Sequence, residues 1–247
     1  MADKPSVIRP TDEAARRLAR TLLRGARFVA IAVLDPDNGF PAVSRVLLGT
    51  DEDGAAVILV SGLSAHTRAL SHDPRVSLLA GEPAKGDPLA HPRLSVQALA
   101  EPVVRDSDEH MRIRARFLAR HPKAKLYIDF PDFRFFRLTA QSASLNGGFG
   151  RAYLLAGSDF AIRPPQDFTS DNSAPLQDLV VSLAGHAAAL AYDRCGAKAG
   201  KWQICGIDWA GIDLRSGDLL LRYEYRSPVG GTEDIISDLS NTEYPIP

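Results

Sequence analysis

The sequence predicts an α+β fold, in which a closed antiparallel β-barrel is followed by a smaller unit of helices and strands. Short runs of β-forming residues alternate with turn residues through the first half of the chain. Helical periodicity is confined to a few short stretches, which fits a barrel better than a parallel sheet with a helix after every strand. The composition changes after the adjacent prolines Pro164 and Pro165, where a second unit is expected.

The first part of the chain supplies the predicted barrel strands. Apolar or alternating runs predict strands, and clusters of Gly, Pro, Asn and Asp predict the turns between them. Strands are expected at residues 28–34, 40–48, 56–61, 75–80, 93–104, 133–138 and 142–145. Helices are expected at residues 11–24, with Thr11 as the N-cap, and at 67–71, 107–119 and 123–128.

The second part of the chain has its own pattern of elements. A long apolar helix is expected first, then three strands and a last helix, at residues 175–192, 202–207, 211–214, 219–225 and 231–240. We therefore predict a barrel domain over residues 1–160, a linker over 161–172 and a small domain over 173–247.

A group of polar side chains follows the third predicted strand. Four neutral hydrogen-bonding groups and one guanidinium lie within eight residues, namely Ser61, Ser64, His66, Thr67 and Arg68. Helix N-termini and arginine forks both suit a phosphate group. If the two neighbouring strands pair, Arg45 can point at the same place. The alternative, a hairpin with a polar loop that needs no ligand, stays open.

These residues resemble a known family. The stretches R-V-L-L, S-G-L-S-A-H-T-R-A-L and D-P-R-V-S-L-L are similar to those of the FMN-binding split-barrel family related to pyridoxamine 5'-phosphate oxidase. The resemblance implies an antiparallel split β-barrel and a homodimer with the flavin site between its subunits. It implies that FMN is bound by Arg45, Val46, Leu47, Ser61, Ser64, His66, Thr67 and Arg68. The other subunit would add a residue such as Arg93 or Gln97.

Later motifs resemble one branch of that family. G-G-F-G-R-A after D-F-x-F-x-R-L is similar to the HugZ-type heme-utilisation branch, and I-D-W-A-G-I-D-L is similar to a strand pair in that branch's small C-terminal α/β domain. Of that branch's helix signature H-M-N-x-D-H, only the last histidine is present, as His186. The resemblance implies heme as the alternative cofactor and His186 as a candidate iron ligand. A core or interface role for His186 is the other interpretation.

Composition and charge limit the kinds of partner and the cell compartment that we expect for this protein. The net charge of −1 gives no electrostatic case for nucleic acid or an anionic membrane, and the basic stretch over residues 112–125 is predicted to be a solvated helix face. No stretch approaches the roughly 18 apolar residues of a membrane span, and no signal peptide is evident, so a cytoplasmic protein is expected. Cys195 and Cys205 lack metal or redox spacing, which favours two free thiols over a disulfide and predicts no metal site.

The sequence identifies no catalytic residue. No serine lies in G-x-S-x-G, and no histidine is tied by spacing to a serine or cysteine. Three functions stay open: an FMN-dependent oxidoreductase of unknown substrate, a heme-binding or heme-degrading protein of the HugZ type, and a non-enzymatic dimeric cofactor-binding protein. Apolar runs at residues 28–34 and 56–60 imply burial on both faces, and with the resemblance they predict a homodimer interface of about 2,000 Å² or more.

Overall fold

The fold is taken from a computed structural model of the chain. The structure describes residues 8–148, 150–163, 173–226, 229 and 232–240. The predicted linker over 161–172 lies almost entirely outside these described residues, as do residues 1–7 and 241–247. The domain boundaries therefore stay a prediction.

Seven antiparallel strands form the barrel part. They are β1 (Phe28–Leu34), β2 (Pro41–Thr50), β3 (Ala56–Ser61), β4 (Arg75–Ala80), β5 (Arg93–Pro102), β6 (Phe133–Asn146) and β7 (Ala152–Ala156). Neighbouring strands follow the order β3-β2-β1-β4-β5-β6-β7, and a further pairing between β3 and β6 closes the first six strands into a barrel. β7 adds a seventh strand to β6. The predicted α+β fold, a split barrel followed by a small C-terminal unit, is confirmed.

Three α-helices accompany the barrel, namely α1 (Glu13–Gly25), α2 (Ala65–His72) and α3 (Asp108–Arg120). The N-cap of α1 is Asp12, whose carboxylate accepts the backbone N–H of Ala15 at 2.8 Å. The predicted cap Thr11 instead donates to the carbonyl oxygen of Leu154, so that prediction is wrong by one residue. The helix predicted over residues 123–128 is a 3-10 helix at Pro122–Leu126.

The last two barrel strands differ from the prediction. β6 is one continuous strand of 14 residues, whereas the sequence predicts two strands with a break at residues 139–141. Thr139 stays in the strand because it pairs with Leu99 of β5, whereas Gln141 is an extra residue at a β-bulge, between the pairs Ala98–Ala140 and Gln97–Ser142. β7 is missing from the predicted strands because its five residues are too few to show alternation, and pairing with β6 holds it in place.

Alternation along the strands places the main core inside the barrel. Ile31, Leu48, Ile58 and Leu94 are fully buried there. β3 is buried on both faces, as predicted, because α3 packs on its outer face through Phe117. β1 alternates between buried and half-buried residues, so its outer face is only partly covered within one chain.

Among its described residues, the C-terminal part contains a three-stranded antiparallel sheet and three α-helices. The strands are β8 (Gln203–Asp208), β9 (Gly211–Ser216) and β10 (Leu219–Glu224), and the helices are α4 (Ser173–Ser182), α5 (Ala187–Cys195) and α6 (Thr232–Ser240). The single helix predicted over residues 175–192 is wrong. A 3-10 turn at Ala184–His186 divides it, at Gly185, where glycine disfavours a continuous helix. A second core lies around Ile207, Ile212 and Leu214.

A buried ion network joins the C-terminal sheet to the barrel part. Arg222 of β10 donates to both Asp208 and Asp213, at 2.7–3.1 Å. Arg24 of α1 pairs with Glu224 at 3.1 Å. Burial alone would raise the pKa of Asp208, but the charges of Arg222 and Arg24 outweigh it, so the pKa is lowered. The Asp208 carboxylate therefore stays ionised inside the protein.

The basic stretch of α3 also takes part in the contact between the barrel part and the C-terminal sheet. Arg116 donates to the carbonyl oxygens of Thr50 and Ile207, and Arg120 reaches Asp213 at 3.4 Å. Both arginines are buried, so the predicted solvated helix face is wrong for them. Two of their partners, Ile207 and Asp213, lie in a sheet far along the chain, which a local charge pattern cannot reveal.

The remaining sequence predictions concern cysteines and membranes. Cys195 and Cys205 are free thiols, as predicted, and burial raises the pKa of Cys205 to about 12. Within the described part of the chain, no helix is long and apolar enough to span a membrane.

Candidate functional site

The predicted polar loop between β3 and α2 forms a compact hydrogen-bond network beside the start of β2. Ser64 and Thr67 each donate to the carbonyl oxygen of Ser61 at 2.7 Å. The His66 ring lies between two hydroxyls, with Nε2 2.9 Å from Ser64 Oγ and Nδ1 3.1 Å from Ser44 Oγ. Three predicted site residues and Ser44 thus belong to one network.

One assignment of protons satisfies every group of this network. When Ser64 gives its proton to the carbonyl oxygen of Ser61, its own oxygen can accept the Nε2–H of His66. Nδ1 of His66 then accepts from the Ser44 hydroxyl. Burial lowers the pKa of His66, which favours the neutral ring that this assignment needs. In this assignment Ser64 is not activated by His66 as a base.

The Ser61 side chain lies outside that network. Its hydroxyl donates to Asp132 at 2.6 Å and accepts the backbone N–H of Leu63 at 3.1 Å. All three hydroxyls of the predicted site, Ser61, Ser64 and Thr67, therefore donate to acceptors within the protein. A ligand oxygen would have to replace one of those acceptors before it could receive a hydrogen bond from them.

Arg45 lies on the outer face of β2, one residue after Ser44, which contacts the loop from the inward face of the strand. The pairing of β2 with β3 ends at Leu48 and Ile58. The guanidinium lies 4.7 Å from the ring centroid of Phe28, at cation–π distance. No acceptor among the described residues is hydrogen-bonded to it, so its N–H groups can bind an acidic ligand group.

The neighbours of Arg45 divide between the two faces of β2. Val46 points into the barrel core and is buried, so only its main chain can face a ligand on the outside. Leu47 points outwards and packs against the buried cluster that contains Phe117 and Phe135. Arg45 is thus flanked on the outer face by Leu47 and by the ring of Phe28.

Arg68 is exposed at the surface of α2 and forms an ion pair with Asp37 of the β1–β2 turn. The hydrogen bond that Arg68 donates to that carboxylate raises the pKa of Arg68. A ligand acid group at Arg68 would take the place of Asp37.

Arg93 is not brought to the other predicted residues within one chain. It begins β5, three strands from β2 in the sheet, which corresponds to roughly 14 Å. Its side chain donates to the carbonyl oxygen of Leu89 at 3.2 Å. Its predicted contribution to the site of another subunit stays a prediction.

Four residues next to the site are absent from the predicted set, namely Phe28, Asp37, Ser44 and Asp132. Ser44 has a detectable signal, since it is a polar residue at an inward position of a strand, between Ala42 and Val46. The others become neighbours only through strand pairing and loop contacts, which the local sequence does not encode.

The histidines offer little for a metal. Both ring nitrogens of His66 are hydrogen-bonded, and Nε2 of His121 lies 2.8 Å from the carbonyl oxygen of Leu48. His186 is exposed in the single chain, which does not fit a core role. Its iron-ligand role stays a prediction. Among the described residues, no three His, Cys, Asp or Glu side chains are grouped as a metal site.

Comparison with known proteins defines the class of this chain. The family model for pyridoxamine 5'-phosphate oxidase matches residues 16–147, more than half of the chain. The chain therefore belongs to the pyridoxamine 5'-phosphate oxidase family.

Individual relatives refine that placement. The protein Atu2129 (unknown function) from Agrobacterium tumefaciens is 32% identical, with a TM-score of 0.77, covering 96% of this chain and 99% of that one. A heme binding protein from Mycobacterium smegmatis is 28% identical, with a TM-score of 0.56, covering 94% of this chain and 95% of that one.

A curated relative points the same way. The chloroplastic heme oxygenase HOZ of Arabidopsis thaliana is 30% identical over 157 residues, which is 61% of this chain. The chain spans about half the length of that relative, 47%. The predicted resemblance, including its heme-utilisation branch, is confirmed.

Proposed function

We propose that this chain binds heme on the outer face of the barrel, beside β2 and the β3–α2 loop. The observation that carries this proposal is the position of Arg45, an exposed guanidinium stacked on Phe28 and flanked by Leu47. Heme is a flat apolar ring with carboxylate side chains. Such a ligand needs an apolar wall and a cation for its acid groups, which this face supplies.

The loop hydroxyls favour heme over FMN. A phosphate is bound best by several donors at once, but Ser61, Ser64 and Thr67 donate to protein acceptors. A carboxylate on Arg45 needs none of them. The similarity to the heme binding protein from Mycobacterium smegmatis extends over 94% of the chain and so includes the C-terminal part, which supports the same cofactor.

FMN is the second candidate, as the cofactor of an oxidoreductase with an unknown substrate. It is favoured by the family match and by a second cation, Arg68, at the surface of α2. Either cofactor, when bound, supplies the redox chemistry. The side chains of this chain then bind and orient it: Arg45 and Arg68 at the acid groups, Leu47 and Phe28 at the ring.

A homodimer is part of this proposal. One row of outward-facing side chains crosses the sheet, with Ala30 beside Leu79, then Ser95, Ser144 and Leu154. Small side chains make this face flat, and the two leucines are exposed in one chain. A second copy would cover these leucines and bring its own β5 towards the cofactor. We expect an interface of about 2,000 Å² or more.

Absorbance titrations of the purified protein with hemin and with FMN test the cofactor. We expect a saturable Soret band with hemin, and weakening of hemin binding by about tenfold or more in Arg45→Ala, since a charge-assisted hydrogen bond is lost. Lys198→Ala, which removes an exposed cation from the C-terminal part, is the matched control and should bind as the wild type does.

Each outcome of these titrations has a meaning. Saturable FMN binding without saturable hemin binding would mean that the cofactor is FMN, the second candidate, and not heme. Equal hemin affinity in Arg45→Ala and Lys198→Ala would show that the heme site does not lie at Arg45 of β2. A bilin-like product under reductant would extend binding to heme degradation.

A further inference from the structure

A small cavity lies at the end of the barrel opposite the polar loop. Its volume is about 110 Å³. The walls are inward-facing strand residues, among them Ala56, Leu78, Ala98 and Leu138, and it is capped by Leu23 of α1 and by Phe160. Alanines on neighbouring strands leave this space, because larger side chains at the same positions would fill it.

The cap over the cavity cannot move inwards to close it. A Cβ on Gly157 would lie 2.0 Å from the carbonyl oxygen of Ala140, so the chain before Phe160 already touches β6. The carbonyl oxygen of Phe160 accepts a hydrogen bond from Arg24 at 2.9 Å. The buried Arg24 thus fixes Phe160 in place, and the space persists in the folded protein.

The charged groups at the rim of the cavity already have ion-pair partners within the protein. Arg137 at its rim is paired with Asp51 and Asp53. Among the described residues, three buried side-chain atoms lack a hydrogen-bond partner, on His110, Arg222 and Tyr225, and none of these residues lines the cavity. A buried water needs at least two polar partners, so water gains little here.

We propose that this cavity binds a small, neutral, apolar molecule no larger than a benzene ring. An engineered apolar protein cavity of about 150 Å³ takes up benzene and xenon, and the present cavity is similar in size, with a mainly apolar lining and the ion pair of Asp53 and Arg137 at its rim. The exposed residues Thr139 and Ala161 form its rim, so a guest can enter without unfolding of the barrel. The cavity is separate from the cofactor face, and its occupancy does not require the proposed function.

Xenon is the probe for this site. The full-length protein is titrated with dissolved xenon and followed by ¹²⁹Xe chemical shift, with polarisation transfer to protein methyl groups. We expect a saturable shift and transfer to the methyl groups of Leu78 and Leu138. Ala98→Val should lower the xenon affinity by about fivefold or more, because its added methyl groups occupy the cavity. Ala84→Val, the same change on an exposed loop, is the control.

Three results would overturn the proposal: no saturable shift in the wild type, transfer to methyl groups elsewhere, or an unchanged affinity in folded Ala98→Val. If Ala98→Val fails to fold, Ala56→Val on the facing wall provides the same comparison. If that variant also fails, the location of polarisation transfer in the wild type decides.

Discussion

At the scale of single residues, His121 shows how the fold holds an ionisable group neutral. Its ring is buried at the end of α3, 4.7 Å from the ring of Phe117. Burial lowers its pKa from 6.5 to about 4, with a smaller contribution from nearby Arg120. The neutral ring hydrogen-bonds the carbonyl oxygen of Leu48 and joins α3 to β2.

We predict that His121 makes the protein sensitive to mild acid. Between pH 6.5 and about 4 the unfolded chain binds a proton at this histidine and the folded chain does not. The free energy of unfolding should therefore be independent of this group above pH 6.5, and should fall by up to about 1.4 kcal/mol per pH unit below it. Urea denaturation of His121→Gln across this range should lack that part of the slope.

Carboxylates also titrate in acid, so the comparison needs a second histidine variant. His72 is exposed, and His72→Gln should keep the full slope of the wild type. Identical slopes for His121→Gln and the wild type would show that the folded pKa of His121 is not lowered.

At the scale of elements, the buried ion network fastens the C-terminal sheet to α1 and α3. Arg222 is completely buried and contacts Asp208 with both terminal nitrogens. Such a pair contributes little compared with an apolar core, but removal of one partner leaves the other charge buried without compensation. The contact therefore depends on every member being present.

We predict that Arg222→Met lowers the free energy of unfolding by about 3–5 kcal/mol, because the Asp208 carboxylate is left buried and unpaired. Denaturation in urea measures this change. Arg75→Met removes an exposed arginine that pairs with Asp73, and should cost far less than Arg222→Met, because water screens that pair. A cost for Arg222→Met no larger than that of Arg75→Met would mean that the network does not bind the two parts together.

At the scale of the whole molecule, much of the barrel is predictable because its information is local. β1, β3 and β4 have the predicted bounds, since each is a short apolar run between turn residues. β7 is not predictable in this way, because its pairing with β6 is what makes it a strand. The burial of Arg120 is likewise not predictable from local sequence, since its partner Asp213 lies in a sheet more distant along the chain.

The candidate site is predictable in part for the same reason. The spacing from Ser61 to Arg68 is local, and the resemblance adds Arg45 of β2. The internal use of the hydroxyls is not predictable, because it depends on Asp132 and Ser44, which come from other elements. Because the hydroxyls donate to protein acceptors, we propose heme and not FMN as the cofactor.

Sedimentation equilibrium of the hemin-loaded protein, recorded both at the protein absorbance and at the Soret band, tests the central claim most directly. If heme binds at the interface of a homodimer, both signals should belong to one species of twice the 26.7 kDa chain mass, with one heme per chain, at micromolar protein. Heme bound with the same affinity to a stable species of 26.7 kDa would contradict it.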